Sequence, residues 1–207
     1  MANTDELVAR YPALAVCRND IQAAYELLVK CFSGGGRLYI CGNGGSAADA
    51  LHIAGELVKS FVLKRELDED FRKRAGSGEL LGNLQGALPA YALTENIALA
   101  TAFANDVSAE YVFAQQVYAY AREGNCVLCI STSGNSHNII HAIEAAKGRA
   151  ACTIGLTGKN GGKMKAMCDC CVCVPETETY KIQELHLPVY HNICLMLEEY
   201  FFGEVNL

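Results

Sequence analysis

The chain has 207 residues, 51% of them hydrophobic, and a net charge of −6, which is enough to bury one full core and short for a second domain. With no basic run longer than FRKR at 71–74, phosphate neutralisation of a nucleic acid is not indicated, and no direct nucleic-acid partner is expected. No apolar stretch reaches the roughly 20 residues of a membrane span.

The polar start MANTDELVARYP reads as carrying no secretory leader. The eleven cysteines, odd in number and mostly inside apolar runs, then read as reduced thiols of a cytoplasmic protein rather than a disulfide framework.

Leu14, Ile21, Tyr25, Leu28 and Phe32 recur near helical spacing and stop at Ser33-Gly34-Gly35-Gly36, predicting an N-terminal segment (1–33) of one or two helices. RLYIC (37–41) is a short apolar run bounded by glycines. Behind it, Ser46 is expected to cap a helix over AADALHIAGELVK, with Asp49 completing a variant capping box.

Residues 61–88 break the rhythm, being first charged and then glycine-rich. They read as an insertion with one or two amphipathic helical turns lying over a site. ALPAYAL (87–93) offers a strand, ENIALATAFA a helix, and Asn105-Asp106 a turn.

The strand, loop, helix order then repeats. CVLCIS (126–131) leads through TSGNS to HNIIHAIEAAK, ACTIGL (151–156) runs into TGKNGGK, and CCVCVP (170–175) precedes a helix from Thr179 to Phe202. Five short apolar strands alternating with helices define an α/β fold, a parallel sheet covered on both faces, here as a single domain over 1–207.

In such a sheet, ligands bind beyond the carboxyl ends of strands, near the point where strand order reverses. Two loops occupy strand ends: Gly42-Asn43-Gly44-Gly45-Ser46 and Ser131-Thr132-Ser133-Gly134-Asn135-Ser136. The second puts four hydroxyls within six residues beside a helix N-terminus, a combination that wraps a phosphate without a cation. In isolation STSGNS is also the sequence of an ordinary polar turn with an N-cap. GNGGS lacks both the P-loop lysine and the GxGxxG spacing, so ATP and NAD fit poorly.

His52 and Glu56 stand four apart on the helix that follows, a spacing that serves one metal ion, one substrate, or a plain surface pair. Gln183, His186 and His191 lie on a later helix and read equally as a core face. Eight helical residues rise about 12 Å, so Gln183 and His191 reach one ion only by leaning together. Pro188 between them can bend the helix; in a straight helix, one of the two would serve a neighbouring subunit. Cys168, Cys170, Cys171 and Cys173 alternate along a strand, which sends neighbours to opposite faces and predicts inert packing thiols rather than a metal cluster. Cys126 and Cys129 are expected to face opposite ways for the same reason.

Taken together, CGNGGSAADALH with Glu56, AxANDxSxEYVFAQQV, GNCVLCISTSGNSHNIIHAI, TGKNGGKM and KIQELHLPVYH resemble the phosphoheptose isomerases of the sugar isomerase (SIS) domain superfamily. The resemblance implies a flavodoxin-like three-layer sandwich, a homotetramer with sites near subunit interfaces, and aldose–ketose interconversion of sedoheptulose 7-phosphate and D-glycero-D-manno-heptose 7-phosphate, supplying heptose for a surface glycan. By position, it implies substrate contacts from Asn43, Gly44, Gly45, Asn105 and Asp106, and phosphate held by Ser131, Thr132, Ser133 and Ser136. Zn2+, one per subunit, would be bound by His52, Glu56, Gln183 and His191. Glu56 and His191 would be the acid/base pair; Glu56 and Gln183 would also touch substrate.

Isomerisation through an enediol needs such a base, an acid and stabilised oxygen charge. Where the family often has an arginine four residues after Glu56, this chain has Ser60, with Lys59 or a basic residue of the insertion as the substitute. The alternative reading within the superfamily is a non-catalytic tetramer that binds the replication initiator, or a sensor of a sugar phosphate. Retention of Glu56 with His52, Gln183 and His191 favours the enzyme.

Overall fold

The computed structural model describes residues 3–76 and 78–203. Five strands, β1 (Leu38–Gly42), β2 (Ala90–Ala92), β3 (Cys126–Ile130), β4 (Cys152–Thr157) and β5 (Cys170–Cys173), form one sheet in the order β2-β1-β3-β4-β5. Every pairing is parallel. This is the flavodoxin-like order, with its reversal between β1 and β3.

Alternation along the strands builds two cores. Leu38, Ile40, Cys126 and Leu128 point to one face, where they meet α2 (Arg18–Ser33), α3 (Gly45–Val58) and α10 (Thr179–Phe202). Tyr39, Cys41, Val127 and Cys129 point to the other, against α7 (Val112–Tyr120), α8 (His137–Gly148) and, through Met164, the short α9 (Met164–Met167). Cys126 and Cys129 therefore do face opposite ways, and the α/β three-layer reading holds.

The N-terminal segment is α1 (Thr4–Arg10), a 3-10 turn from Pro12 to Cys17, and then α2. Asn3 caps α1 by accepting from the Glu6 amide at 2.8 Å. Among the described residues, no helix is long and apolar enough to cross a membrane. All eleven cysteines are unpaired. Burial foremost raises the Cys170 thiol to about 11 and pushes those of Cys168 and Cys171 up as well, as inert packing groups require.

Several expectations are corrected. Ser46 is not the N-cap of α3: Gly44 takes that position with φ 56°, and Ser46 is buried within the first turn. Asp49 turns toward α10 instead of completing a capping box. The strand expected over 87–93 pairs only at Ala90–Ala92, since Pro89 has no amide to give a ladder. In the insertion the expected helical turns form, as α4 (Glu69–Ala75) and α5 (Glu79–Asn83), but neither buries a side chain. Asn105-Asp106 is no turn: α6 (Ile97–Phe103) continues into a π-helical stretch at Ala104–Ser108, a wide turn common at functional sites.

Candidate active site

Beyond β1 and β3 the chain departs to opposite faces of the sheet, which opens a crevice between their carboxyl ends. Gly42 and Ile130 end those strands side by side. GNGGS and STSGNS therefore meet there, around a cavity of about 280 Å³ lined by Asn43, Gly44, Gly45, Ser131, Thr132, Ser136, Thr179 and Gln183 among others. Asn43 and Asn138 exchange two amide hydrogen bonds of 2.9 and 2.8 Å and tie the first loop to α8.

The hydroxyls are gathered. Ser131 Oγ lies 3.0 Å from Ser136 Oγ and 3.5 Å from Ser133 Oγ. Ser136 occupies the N-cap of α8 without using its side chain as a cap, so the free amides and hydroxyls of that end converge on the cavity, the arrangement that binds an oxyanion. The loop is buttressed by the TGKNGGK segment: Met164 N donates to Gly134 O at 3.1 Å and Lys163 N to Asn135 Oδ1 at 3.0 Å. Gly134 has φ 65°, and a Cβ there would lie 2.2 Å from the Gly161 carbonyl oxygen, so only glycine lets the two segments approach this closely.

A second cluster forms between α3 and α10. Asp49, His52 and Glu56 occupy i, i+3 and i+7 of α3 and share one face. His52 Nε2 is 3.2 Å from Glu56 Oε1 and 3.4 Å from His191 Nε2. Tyr190 OH lies 3.2 Å from Asp49 Oδ1 and 3.1 Å from His52 Nδ1. Lys59 Nζ donates to Glu56 Oε2 at 3.0 Å and to the Ser60 carbonyl at 2.8 Å, so a cation does stand by Glu56 although the fourth position after it is serine. The Phe61 ring closes the cluster, 5.4 Å from that of His191.

These contacts assign protons. An ionised Asp49 only accepts, so Tyr190 donates to it and receives the proton of His52 Nδ1–H. His52 Nε2 is turned toward Glu56 and His191. Burial first, and then neighbouring His52, lowers the proton affinity of His191 against the pull of Glu56. Burial raises the Asp49 carboxyl, opposed by its Tyr190 bond and by His52.

Two imidazole nitrogens and a carboxylate are the donor types that zinc sites use, and Asp49 and Tyr190 are the hydrogen bonds that orient the His52 ring. As placed, however, no group of three or more His, Cys, Asp or Glu among the described residues could hold a metal ion.

Gln183 sits apart from this cluster. It packs on Gly45, where a Cβ would meet its Nε2 at 2.5 Å, and lines the loop cavity. Asn105 and Asp106 are exposed, bonded to one another at 2.8 Å, and outside that cavity. His186 is fully buried, with neither ring nitrogen bonded. Burial lowers its pKa to about 4, which keeps it a neutral core residue. Tyr190, Phe61 and the site role of Asp49 escaped the sequence reading. The i, i+3, i+7 spacing of Asp49, His52 and Glu56 was the available signal for Asp49, whereas nothing local marks Tyr190 or Phe61.

This fold, with its paired loops at the strand ends, is that of the SIS domain, and two family models of that description match residues 90–198 and 13–81. A phosphoheptose isomerase of Rhodospirillum rubrum is 39% identical over 186 residues, covering 90% of this chain and 88% of its own. One from a Roseiflexus species is 43% identical over 184 residues, covering 89% and 83%. Among solved structures, a phosphoheptose isomerase from Neisseria gonorrhoeae superposes with a TM-score of 0.76 at 35% identity, covering 94% of each chain. One from Francisella tularensis gives 0.78 at 30%, covering 92% and 91%. The chain belongs to the SIS-domain family and, within it, to the phosphoheptose isomerases. It is a phosphosugar isomerase.

Proposed function

We propose that the protein interconverts sedoheptulose 7-phosphate and D-glycero-D-manno-heptose 7-phosphate in the cytoplasm, as a homotetramer, supplying heptose for a surface glycan. The observation that carries this reading is that one helix joins two chemistries. The N-terminal end of α3 opens on the hydroxyl loop, and its later turns present His52 and Glu56 beside His191. The seven residues from Gly45 to His52 rise about 10 Å, comparable with an extended seven-carbon phosphate. A sugar held by its phosphate can thus bring its far end to the cluster.

Ser131, Thr132, Ser133 and Ser136 hold the phosphate, while Asn43, Gly44 and Gly45 let the backbone approach the sugar. Glu56 removes the proton from C1 of the ketose as His191 protonates the C2 oxygen, giving the enediol. Proton return from Glu56 to C2 and loss of the O1 proton to His191 then yield the aldose, with no net change in protons. Lys59 directs Glu56 by donating to its Oε2 at 3.0 Å. Zinc, if held by His52, Glu56 and His191, would supply polarisation of the carbonyl, whereas Gln183, packed on Gly45 in the loop cavity, faces the substrate. Asn105 and Asp106, outside this chain's own cavity, would contact substrate held by a neighbouring subunit of the tetramer.

The direct test incubates the purified protein with sedoheptulose 7-phosphate, with and without added zinc, and follows the aldose product by NMR. Turnover is expected; its absence under both conditions removes the reading. Binding without turnover would instead identify a sugar-phosphate sensor.

A further inference from the structure

The insertion has a function in the fold that its exposed helices conceal. Arg65 is 2% exposed and Glu198 1%, a fully buried ion pair of 2.7 Å between Arg65 Nε and Glu198 Oε1. Glu198 also accepts the backbone amides of Phe61 at 2.7 Å, Val62 at 2.8 Å and Leu63 at 3.0 Å. Arg65 spends its other arms on the last turn of α3, donating Nη1 to the Leu57 carbonyl at 2.6 Å and Nη2 to the Glu56 carbonyl at 2.8 Å. The returning end of the insertion is fastened to the same point, with Gly86 N on the Arg65 carbonyl at 3.0 Å and Leu88 N on that of Leu57 at 2.9 Å.

A buried ion pair is a poor way to gain stability, because apolar side chains of the same volume serve as well without desolvating two charges. What it supplies is direction: a rigid guanidinium fork and a two-oxygen acceptor fix several backbone groups at once. Here those groups are the carbonyl of Glu56 itself and the amide of Phe61, whose ring lies against His191. The geometry points to Arg65 and Glu198 as positioning residues of the isomerase site, which set the direction of Glu56 and seat Phe61 on His191 without touching substrate. The role rests on the isomerase reading above, because it is the acid/base pair that they hold.

The test compares Glu198→Gln with the unaltered protein on sedoheptulose 7-phosphate. Misdirecting the base by a fraction of an ångström should lower kcat by about tenfold to 100-fold. The phosphate loop is untouched, so KM and the inhibition constant of inorganic phosphate should stay within about twofold of the unaltered values. A folded variant with unchanged kcat overturns the proposal, as does a loss of rate that only tracks a smaller folded fraction. Arg65→Lys, which keeps the charge and loses the fork, carries the same expectation should Glu198→Gln not fold.

The amides of Phe61, Val62 and Leu63 in the unaltered protein give a reading free of any variant or chemistry. Hydrogen exchange as slow as in the sheet supports the latch, and exchange at loop rates sinks it. Absence of turnover by the unaltered protein would refute the isomerase reading alone and leave the latch to be judged by that exchange.

Discussion

His52 and His191 meet through their Nε2 atoms at 3.4 Å, with ring planes 83° apart, although 139 residues separate them in the chain. One imidazole comes from the middle of α3 and the other from the middle of α10, and their contact joins the glycine-loop half of the site to the C-terminal half. Glu56 lies against the first of them at 3.2 Å, so the base and the acid of the proposed reaction share one hydrogen-bonded group.

Replacing Glu56 by Gln keeps the volume of the side chain and removes the base. The isomerisation rate should fall by about 100-fold to 10,000-fold, while the melting temperature and the oligomeric state stay as they were. A variant of ordinary rate would remove Glu56 from its assigned role.

Tyr190 bridges Asp49 and His52 and so holds the His52 ring with Nε2 toward Glu56 and His191. Tyr190→Phe breaks this bridge without altering any of the proposed zinc-binding residues. If the cluster binds zinc as proposed, its affinity, read by competition with a chromogenic chelator, should drop about 10-fold to 100-fold; an unchanged affinity would show that the His52 ring is oriented by other contacts.

Each hydroxyl of the STSGNS loop that bonds a phosphate dianion contributes about 1.5–3 kcal/mol. Ser136→Ala should therefore raise KM by roughly 10-fold to 100-fold, with kcat little changed and inhibition by inorganic phosphate weakened in parallel. A loss confined to kcat would place the phosphate somewhere other than this loop.

Gly45 leaves room for Gln183, and a Cβ would stand 2.5 Å from Gln183 Nε2. Gly45→Ala should swing that amide out of the cavity and lower kcat/KM by up to about 100-fold, with cooperative unfolding retained. Full activity in this variant would mean that Gln183 is dispensable where it stands.

His186 is buried and its pKa is lowered to about 4, against about 6.5 in an unfolded chain. Between those values the unfolded state binds the extra proton, so this group's stabilisation is complete above about pH 6.5 and is lost as pH falls toward 4, at up to about 1.4 kcal/mol per unit. His186→Leu should flatten the unfolding free energy over that window. A parallel, undiminished acid slope in the variant would assign it to other groups.

The strands and the long C-terminal helix were legible in the sequence because a doubly covered parallel strand must be apolar throughout, and because a run such as Thr179–Phe202 keeps its helical period even across Pro188. Where local signals misled, tertiary contacts had overridden them. Ser46 has the composition of a cap, but the turn needs a residue at φ 56°, and Gly44 supplies it. Asp49 resembles a capping-box partner, yet α10 brings Tyr190 within hydrogen-bonding distance. Asn105-Asp106 looks like a stop, and the helix runs on through it.

By itself the sequence determined the layer architecture, the two loops at the strand ends, and which helix faces carry the imidazoles and carboxylates, since all of these follow from spacing along a regular backbone. The tertiary structure alone decided which of those faces meet. It brought His191 and Tyr190 to His52, left Gln183 against Gly45, and bound the root of the insertion to α10 through Arg65 and Glu198. Distances between groups far apart in the chain are set by packing, and no local period encodes them.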